Sequence, residues 1–379
     1  MLLNMENEKD ILLEFNPHTR AKHEILSRYI AVWTPVLTMR FNGKVVYIDG
    51  FAGSGAYRNS DELGSPQIVL DTILNRKFLP KIKTDIFLLF IELNKDRAKH
   101  LEGLLKARYT KLPNNIKYNV EIGEFDRELN AILDTLKKEH SRLAPTFCFV
   151  DPYGWSDLNY DTLAKFMNEE KAELLITFMV GFLSRFIEEA RLTSIKKLFS
   201  EEQVKTITET DKDSRSSVIS KIFIDNLKDK IHEINPNKKI FDLSFQTIDS
   251  HDNTMYYLLY LTSHLKGLKV MKEAMFSTGE RGSYMFNDFT FNPSGKQSTL
   301  INYNDVNYWQ TNAGNELHKE FEGKKCTVNE VENYTWMNTR WIFRKGILHR
   351  LEDKGLIKYL SDRKRKRLTY ADDGLLEFV

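Results

Sequence analysis

Short apolar runs alternate with helical patterns along the first two thirds of the chain. Five of these runs have the length and the residue types of buried strands: residues 45–48, 86–91, 118–122, 146–150 and 174–179. Helical segments separate most of the runs. Because strands that alternate with helices pair in parallel through right-handed crossovers, the pattern predicts an α/β fold with a parallel sheet.

The helical segments have recognisable starts and apolar faces. Ile25, Tyr29 and Trp33 recur at four-residue spacing within a predicted helix over residues 19–40. Ser65-Pro66 is typical of a helix start. We also predict helices over 95–107, 125–138 and 268–276, a strand over 255–261, and a polar helical segment over 182–227 that we interpret as an insertion or a lid.

Length and charge divide the chain into regions. A chain of 379 residues is too long for one ordinary core. We predict an N-terminal helical segment over 1–40, an α/β domain over 41–300 with a helical insertion at about 182–240, a linker over 292–314 and a basic domain over 315–379. Residues 340–367 carry eleven Lys or Arg and three Asp or Glu, a net charge of +8 in a chain of net charge +2. A polyanionic partner would therefore meet the C-terminal end first.

Several classes of protein are disfavoured by the composition. The two cysteines, Cys148 and Cys326, give neither a disulfide framework nor the spacing of metal ligands. Residues 1–10 are acidic where a secretory signal would be basic. The longest apolar run, residues 174–183, is about half the length that a membrane span needs. The sequence predicts a soluble cytoplasmic protein without a membrane segment or a bound metal.

The strand at 45–48 runs into an acid and a glycine-rich turn. Asp49 is followed by three glycines within six residues, in the segment Asp49, Gly50, Phe51, Ala52, Gly53, Ser54, Gly55. In a doubly wound sheet this turn lies at the carboxyl ends of the strands, where ligands bind. Neither G-x-G-x-x-G nor a phosphate-binding P-loop is present. An acid there suits a cationic or hydroxyl-bearing ligand, so we predict that Asp49, Gly50, Phe51, Ala52, Gly53 and Gly55 form its site; the alternative is a structural turn.

Acids also follow the second and third predicted strands. Glu92 closes the second strand, where an acid of a nucleoside-binding fold accepts hydrogen bonds from ribose hydroxyls. Glu124 and Asp126 follow the third strand, where groups that contact adenine would lie. The sequence predicts Glu92 and Glu124 as ligand-binding residues, and it does not separate Glu124 from Asp126.

The fourth strand ends in Asp151, Pro152, Tyr153, Gly154 and Trp155. Asp151 can accept a hydrogen bond from an exocyclic amine as that amine becomes nucleophilic. Pro152 stiffens the turn, and Tyr153 and Trp155 offer flat faces on which a base can stack. We predict Asp151, Pro152 and Tyr153 as catalytic residues; the alternative is a tight turn before a capped helix.

The basic C-terminal segment has the pattern of a helix-turn-helix and a hairpin. A helix over 328–334 begins at a capping box of Thr327 and Glu330, and a second helix runs from Asn338-Thr339 to residue 353. Strands over 356–360 and 364–370 would then form a wing, so the segment resembles a winged helix. The wing carries five cations predicted to contact the phosphates of DNA or RNA: Arg363, Lys364, Arg365, Lys366 and Arg367. The alternatives are a solvated hairpin and a protein-docking surface.

The first and fourth motifs resemble motifs I and IV of class I S-adenosylmethionine-dependent methyltransferases. The combination of Lys22-His23, the acidic glycine loop, Gly64-Ser65-Pro66 and Asp151-Pro152-Tyr153-Gly154 is similar to the three-Cys-motif partner (TcmP) family. The Lys-His helix and the loop also resemble ribosomal RNA adenine-N6 methyltransferases with a DPPY signature. The resemblance implies a Rossmann-like methyltransferase domain, S-adenosylmethionine as cofactor and a phage-type partner protein that bears three cysteines.

One motif departs from the amino-methyltransferase pattern. That pattern has Asp-Pro-Pro-aromatic, whereas here the aromatic Tyr153 directly follows Pro152, and glycine comes next. The departure leaves adenine N6 as the target, and catalysis itself, open. Two functions remain: a methyltransferase acting on the amino group of a nucleic-acid base, or a non-catalytic binding partner that recruits a three-Cys-motif protein to nucleic acid. A nuclease would need clustered metal-binding carboxylates, which the sequence does not indicate.

Overall fold

The structure is a computed structural model. The residues that it describes are 11–16, 18–39, 43–75, 83–187, 195–249, 253–279, 285–287, 306–360 and 369–379, apart from a few side chains within these ranges. None of the helices in the described residues is long and apolar enough to cross a membrane.

An eight-stranded sheet forms the centre of the larger domain. Its strands in chain order are β1 Lys44–Asp49, β2 Asp85–Glu92, β3 Ile116–Ile122, β4 Thr146–Val150, β5 Ala172–Phe178, β6 Phe241–Ile248, β7 Thr254–Thr262 and β8 Met285–Asn287. They lie in the order β3-β2-β1-β4-β5-β7-β6-β8. β1 to β5 are parallel, and β7 is antiparallel to both of its neighbours, β5 and β6. The five predicted parallel strands and the predicted strand within β7 are confirmed.

Helices cover both faces of this sheet. They are α1 Thr19–Thr38, α2 Ser65–Leu74, α3 Lys95–Arg108, α4 Phe125–Lys138, α5 Tyr160–Asn168, α6 Val180–Phe186, α7 Glu201–Glu209, α8 Lys212–Ile234 and α9 Leu265–Thr278. α1, α2, α3 and α9 bury apolar side chains on one face, and α4, α5 and α8 bury theirs on the other. The domain is a three-layer α/β/α sandwich, as expected for parallel strands that are apolar on both faces.

The longest helix after β5 belongs to the core of the domain. Ile219, Phe223 and Leu227 recur at four-residue spacing on α8 and are fully or almost fully buried. Phe223 stacks on Phe178 of β5, with ring centroids 4.3 Å apart. The interpretation of residues 182–227 as a lid is therefore wrong for α8, an amphipathic helix on which most charged residues lie on the outer face and Arg215 is buried.

β6 is absent from the strands predicted from the sequence. Its buried positions are Phe245, Thr247 and Ile248, so it lacks the apolar run of a fully buried strand. Phe241, Leu243 and Phe245 nevertheless alternate with polar residues, as in a half-buried strand. β6 pairs along its whole length with β7, which is itself buried over seven consecutive residues. Hydrogen bonding to a strongly apolar neighbour thus extends the sheet into a half-polar segment.

The C-terminal residues form a second unit of three helices and a small sheet. Its elements are α10 Val306–Phe321, β9 Lys325–Thr327, α11 Val328–Asn338, α12 Lys345–Asp353, β10 Ile357–Leu360 and β11 Leu375–Phe378. The strands lie in the antiparallel order β10-β11-β9. The predicted capping box is confirmed, because Glu330 N donates to Thr327 Oγ1 at 3.2 Å and Thr327 N donates to Glu330 Oε2 at 2.7 Å.

Two predicted boundaries in this unit are wrong. The predicted linker over 292–314 includes the first residues of α10, where Trp309 and Ala313 are buried at helical spacing; residues 292–305 lie outside the described ones. The second helix begins at Lys345 rather than at Asn338-Thr339. Thr339 Oγ1 accepts a hydrogen bond from Trp341 N at 3.1 Å, which closes a turn in place of a helix.

The predicted wing is only partly covered by the structure. The partner of β10 is β11, Leu375–Phe378, so the prediction of a second strand over 364–370 is wrong at residues 369–370, which are not in a strand. Residues 361–368 lie outside the described ones, and with them Arg363, Lys364, Arg365, Lys366 and Arg367. Their contact with phosphate therefore stays a prediction.

Candidate functional site

The loop after β1 contains three glycines with different roles. A Cβ on Gly50 would lie 2.5 Å from Cδ2 of Phe125, so the backbone packs directly on that ring. Gly53 and Gly55 have φ of +65° and +78°, which favour glycine. A Cβ on Gly53 would meet nothing within 4 Å, whereas one on Gly55 would lie 2.8 Å from Cδ1 of Leu101. Gly53 is thus the glycine of the loop that leaves its backbone open to a ligand.

Glu92, at the end of β2, is tied to the loops on both sides. Gly53 N donates to Glu92 Oε2 at 2.9 Å, and Asn94 N donates to Glu92 Oε1 at 2.8 Å. Each carboxylate oxygen keeps a second lone-pair site. The carboxylate is therefore held in a fixed orientation and can still accept hydrogen bonds from a ligand.

Asp49 lies beneath the glycine loop. Its side chain is fully buried and accepts a long hydrogen bond from Phe51 N at 3.3 Å. Burial raises the pKa of Asp49 to about 7, and a hydrogen bond from Ser65 acts in the opposite direction. The carboxyl supports the loop from beneath, and its contact with a ligand stays a prediction.

Two adjoining cavities lie at the carboxyl ends of β1, β2 and β4. The first, which we term the Lys22 cavity, has a volume of about 340 Å³ and is lined by Lys22, Gly53 and Asp151, among others. The second, the Glu92 cavity, has a volume of about 330 Å³. Phe51 and Tyr153 line both cavities. Two reactants could therefore be held end to end, with these two aromatic side chains at the boundary.

The Glu92 cavity contains both acids that follow β3. Glu124 is exposed, whereas Asp126 is half-buried and its Oδ1 is buried without a hydrogen-bond partner. Burial raises the pKa of Asp126 to about 6. Leu93, which is 71% exposed, adds an apolar surface to the same cavity. The structure brings Glu92, Glu124 and Asp126 together as predicted, and it gives Asp126 the more enclosed position.

The Lys22 cavity is built around an ion pair between α1 and the loop after β4. Lys22 Nζ lies 2.5 Å from Asp151 Oδ2, and the two side chains are only 14% and 20% exposed. Such a pair is less screened by solvent than a surface pair. In the sequence, Lys22 is marked only by the family resemblance. It lies 129 residues from Asp151, and no local pattern indicates that the two side chains meet.

Neutral side chains surround this ion pair. His23 is buried, and burial followed by the nearby charge of Lys22 lowers its pKa to about 3, so the imidazole is neutral near pH 7. Tyr57 has its pKa raised well above the usual value, first by burial and then by Asp151. The ion pair of Lys22 with Asp151 therefore has a neutral imidazole and a neutral phenol beside it.

The residues that follow Asp151 differ in their positions. Tyr153 is 59% exposed at the boundary of the two cavities, and its hydroxyl accepts a hydrogen bond from Arg97 Nη1 at 3.2 Å. Pro152 is buried beside it. Trp155, in contrast, packs against the hydrophobic core below α5 and α8. The prediction that Trp155 offers a stacking face is wrong, whereas Tyr153 is placed to do so.

An N-terminal segment that sequence reasoning missed forms one wall of the Lys22 cavity. Phe15 N donates to Asn59 Oδ1 at 2.6 Å, and Arg58 N donates to Leu13 O at 2.8 Å. Phe15 also packs edge-on against Tyr57. Residues 11–16 are mostly apolar, but the segment is too short to show a periodicity. Only the fold shows that it closes this side of the cavity.

No metal site is found near these cavities. Among the residues that the structure describes, no three His, Cys, Asp or Glu side chains lie close enough together to hold a metal ion.

Comparisons with solved structures yield methyltransferases at low similarity. Trm1 from Pyrococcus horikoshii, solved with S-adenosyl-L-methionine, is 11% identical, with a TM-score of 0.39; the match covers 69% of this chain and 59% of Trm1. An O-methyltransferase from Bacillus cereus in complex with SAH is 10% identical, with a TM-score of 0.34 over 69% of this chain and 88% of that one. The O-methyltransferase TomG from Streptomyces achromogenes is 12% identical, with a TM-score of 0.31 over 69% and 96%.

The fold assignment rests on topology. No protein-family model and no curated protein matches the sequence. The mixed sheet, with parallel β1 to β5 and antiparallel β7 between β5 and β6, matches the Rossmann-like methyltransferase fold. In open α/β sheets of this kind, ligands bind outside the carboxyl ends of the strands, which is where the two cavities lie.

Proposed function

We propose that the protein is an S-adenosylmethionine-dependent methyltransferase that acts on an amino group of a nucleic-acid base. The observation that carries the proposal is the pair of cavities that adjoin at Phe51 and Tyr153. Methyl transfer needs two reactants aligned end to end, and such alignment alone lowers the barrier by several kcal/mol, about 7–11 in well-oriented cases.

The Glu92 cavity fits the adenosine half of the cofactor. The fixed carboxylate of Glu92 can accept hydrogen bonds from ribose hydroxyls. Leu93 offers an apolar surface for the base, and the carboxyl of Asp126, which lines the same cavity, can accept from an exocyclic amine. Bound there, S-adenosylmethionine supplies a methyl group on a positively charged sulfur. We assign the adenine contact to Asp126 ahead of Glu124, which is exposed.

The Lys22 cavity holds the groups that would act on the acceptor amine. Asp151 accepts a hydrogen bond from the amine and stabilises the positive charge that develops as its nitrogen gains the methyl group. The surplus proton of that nitrogen then leaves to Asp151 or to water. Because Lys22 Nζ already lies 2.5 Å from Asp151 Oδ2, the amine must use the other oxygen or displace Lys22. Until then Lys22 holds Asp151 in its orientation.

The C-terminal unit supports a nucleic-acid substrate. We interpret its order α10, β9, α11, α12, β10, β11 as a winged helix with α12 in the recognition position. Lys345 and Arg350 of α12 donate to Tyr370 O at 2.6 Å and to Gln310 Oε1 at 3.1 Å, so both cations are engaged within the unit. Contact with DNA or RNA would then fall to the five cations of residues 363–367, together with exposed cations such as Lys354 and Lys358.

Calorimetric titration tests the cofactor. Wild-type protein should bind both S-adenosylmethionine and S-adenosylhomocysteine. Glu92→Gln should weaken this binding about tenfold or more, because one charge-assisted hydrogen bond is worth about 1.5–3 kcal/mol. Glu121→Gln, on the edge strand β3 and outside both cavities, is the control. Absence of binding heat with either ligand would remove the cofactor from the proposal.

Methyl incorporation tests the acceptor. Labelled S-adenosylmethionine should transfer its methyl group to structured RNA or duplex DNA, and digestion followed by chromatography should place the label on a base amino group. Label on protein or on free nucleosides alone would contradict a polymeric substrate.

The second candidate is a non-catalytic partner that binds the cofactor and recruits a three-Cys-motif phage-type protein to nucleic acid. The ion pair of Lys22 with Asp151 favours it, because the acceptor for an amine is already occupied. Cofactor binding without methyl incorporation on RNA, on DNA or on the protein itself would select this function.

A further inference from the structure

A third cavity lies at the amino ends of the parallel strands, on the side of the sheet opposite to the carboxyl ends where the first two cavities lie. It has a volume of about 170 Å³ and lies between α1 and α9, next to the starts of β4 and β5. Its walls are mainly apolar: Tyr29, Trp33, Val36, Leu37, Pro145 and Val270. A cavity of about 150 Å³ is known to hold a benzene-sized molecule, so this one is large enough for a small ligand.

A buried carboxylate lies in this apolar cavity. Glu173 of β5 is 7% exposed, and its hydrogen bonds come from the phenols of Tyr29 and Tyr260 rather than from a cation. Burial raises the pKa of this carboxyl above its usual range. A carboxylate enclosed among apolar groups is costly unless an opposite charge compensates it.

The backbone of α9 packs closely against the groups that hold this carboxylate. A Cβ on Gly267 would lie 2.7 Å from the hydroxyl of Tyr260, 3.0 Å from Thr262 Oγ1 and 3.3 Å from Glu173 Oε2. Any larger residue at Gly267 would therefore press on the Tyr260–Glu173 pair. The glycine allows close packing of α9 on the sheet while the carboxylate keeps an open side towards the cavity.

We propose that this cavity binds a small organic cation, with its ammonium group at Glu173 and its apolar body among Tyr29, Trp33 and Val270. Aromatic walls attract a cation as well as apolar surface. Three basic residues also line the cavity: His264 and Lys266 are exposed, and Lys171 is half-buried. Salt and water screen the two exposed side chains, and Lys171 has an interaction of its own in the structure. The buried carboxylate of Glu173 therefore remains the group that a cation would contact.

The site is independent of the two cavities proposed for methyl transfer. Its lining residues belong to α1, to α9 and the turn before it, and to the beginnings of β4 and β5. None of them lines the Lys22 or the Glu92 cavity. A ligand there should neither compete with S-adenosylhomocysteine nor require it. Failure of one proposal therefore leaves the other intact.

Benzylamine and its neutral analogue benzyl alcohol form a matched pair of probes. Ligand-observed NMR and thermal unfolding on the full chain should show saturable binding of benzylamine, with benzyl alcohol binding at least about tenfold more weakly. Glu173→Gln keeps a hydrogen-bond acceptor for both tyrosines and should reduce benzylamine binding to the level of the alcohol. Val270→Phe should abolish binding of both probes by filling the cavity while leaving Glu173 in place.

Three results would overturn the proposal. Equal binding of the two probes would mean that charge is not recognised. Unchanged benzylamine binding in Glu173→Gln, or in Val270→Phe, would place the probe elsewhere. No binding of benzylamine at all would show that the cavity is only a packing defect. Far-UV circular dichroism and a cooperative thermal transition, measured in parallel, should be as in the wild type and confirm that both variants are folded.

Discussion

Asp151 and Lys22 define the chemistry of the site at the scale of single residues. Asp151→Asn removes the negative charge but keeps the size of the side chain. We expect turnover to fall by about 10²–10⁴, the usual range for a group that assists proton transfer. Binding of S-adenosylhomocysteine should change little, because Asp151 lines the Lys22 cavity and not the Glu92 cavity. Steady-state kinetics and calorimetry on the same preparation measure both effects.

The control for this change is Asp161→Asn, an exposed acid in the first turn of α5. It should leave turnover and cofactor binding as in the wild type. Near-normal turnover of Asp151→Asn would remove Asp151 from the mechanism and favour the non-catalytic function.

Asp49 gives a prediction about pH. Its pKa in the folded protein is raised to about 7 by burial, so the folded state keeps a proton that the unfolded chain releases near pH 4. The stability associated with this protonation is fully present below about pH 4 and is lost as the pH rises through about 7. Asp49→Asn lacks this titration. Its melting temperature relative to wild type should therefore increase from pH 5 to pH 8.

Thermal unfolding across this pH range measures the difference between the two proteins. Asp134→Asn, a change at an exposed acid of α4, is the control and should follow the wild type at each pH. A constant difference between Asp49→Asn and wild type from about pH 5 to pH 8 would show that Asp49 does not titrate there.

At the scale of elements, sequence patterns predict what local chemistry determines. The capping box of Thr327 and Glu330 and the five parallel strands are of this kind, because caps and apolar runs act over a few residues. The start of α12 is not of this kind, because the segment before it is apolar at Trp341 and Phe343 yet not helical. β6 differs again. Its apolar and polar residues alternate from Phe241 to Gln246, so the strand could have been recognised, and pairing with β7 places it in the sheet.

Contacts between distant elements explain what the sequence misses at the site. Lys22 and Asp151 lie 129 residues apart and meet only because α1 packs beside β1 and β4. The glycine loop, Glu92 and the turn after β4 could be predicted, since each follows a strand directly. The complete burial of Asp49 could not be predicted, because it depends on how α2 covers the loop.

The contact of α9 with α11 gives a prediction about how the two units are joined. Lys272 of α9 is almost fully buried, and its Nζ donates to the carbonyls of Thr335, Trp336 and Thr339 at 3.0, 2.9 and 2.5 Å. These carbonyls lie at the C-terminal end of α11, where a cation is favoured. Lys272→Met would leave them without this donor and should destabilise the protein by about 2–4 kcal/mol.

Urea unfolding followed by tryptophan fluorescence measures this loss. The matched control is Lys269→Met on the same helix, since Lys269 forms a more exposed ion pair with Glu332 at 2.7 Å. It should cost less than about 1 kcal/mol. Equal effects of the two changes would mean that the buried ammonium contributes no more than the outer pair.

At the scale of the whole molecule, the chemistry is segregated by position. The cavities proposed for methyl transfer lie where β1, β2 and β4 end, and the Glu173 cavity lies where β4 and β5 begin. The C-terminal unit attaches through α9, with Arg344 Nη1 2.7 Å from Glu273 Oε1 on that helix. Its role in binding can therefore be changed at residues 363–367 without altering the residues that line either site.

Replacing Arg363, Lys364, Arg365, Lys366 and Arg367 with Ser tests that role. We expect weaker binding to nucleic acid with unchanged binding of S-adenosylhomocysteine. Log affinity falls as log salt rises, and each cation that pairs with a phosphate makes this fall steeper. Removing one such cation should lower the magnitude of the slope by about 0.9 on duplex DNA and about 0.7 on single strands. The control is the double change Lys137→Ser and Lys138→Ser at the end of α4, two exposed cations outside both cavities. A salt series on duplex DNA and on structured RNA compares all three proteins, and an unchanged slope on both polymers would reassign the C-terminal unit to protein docking.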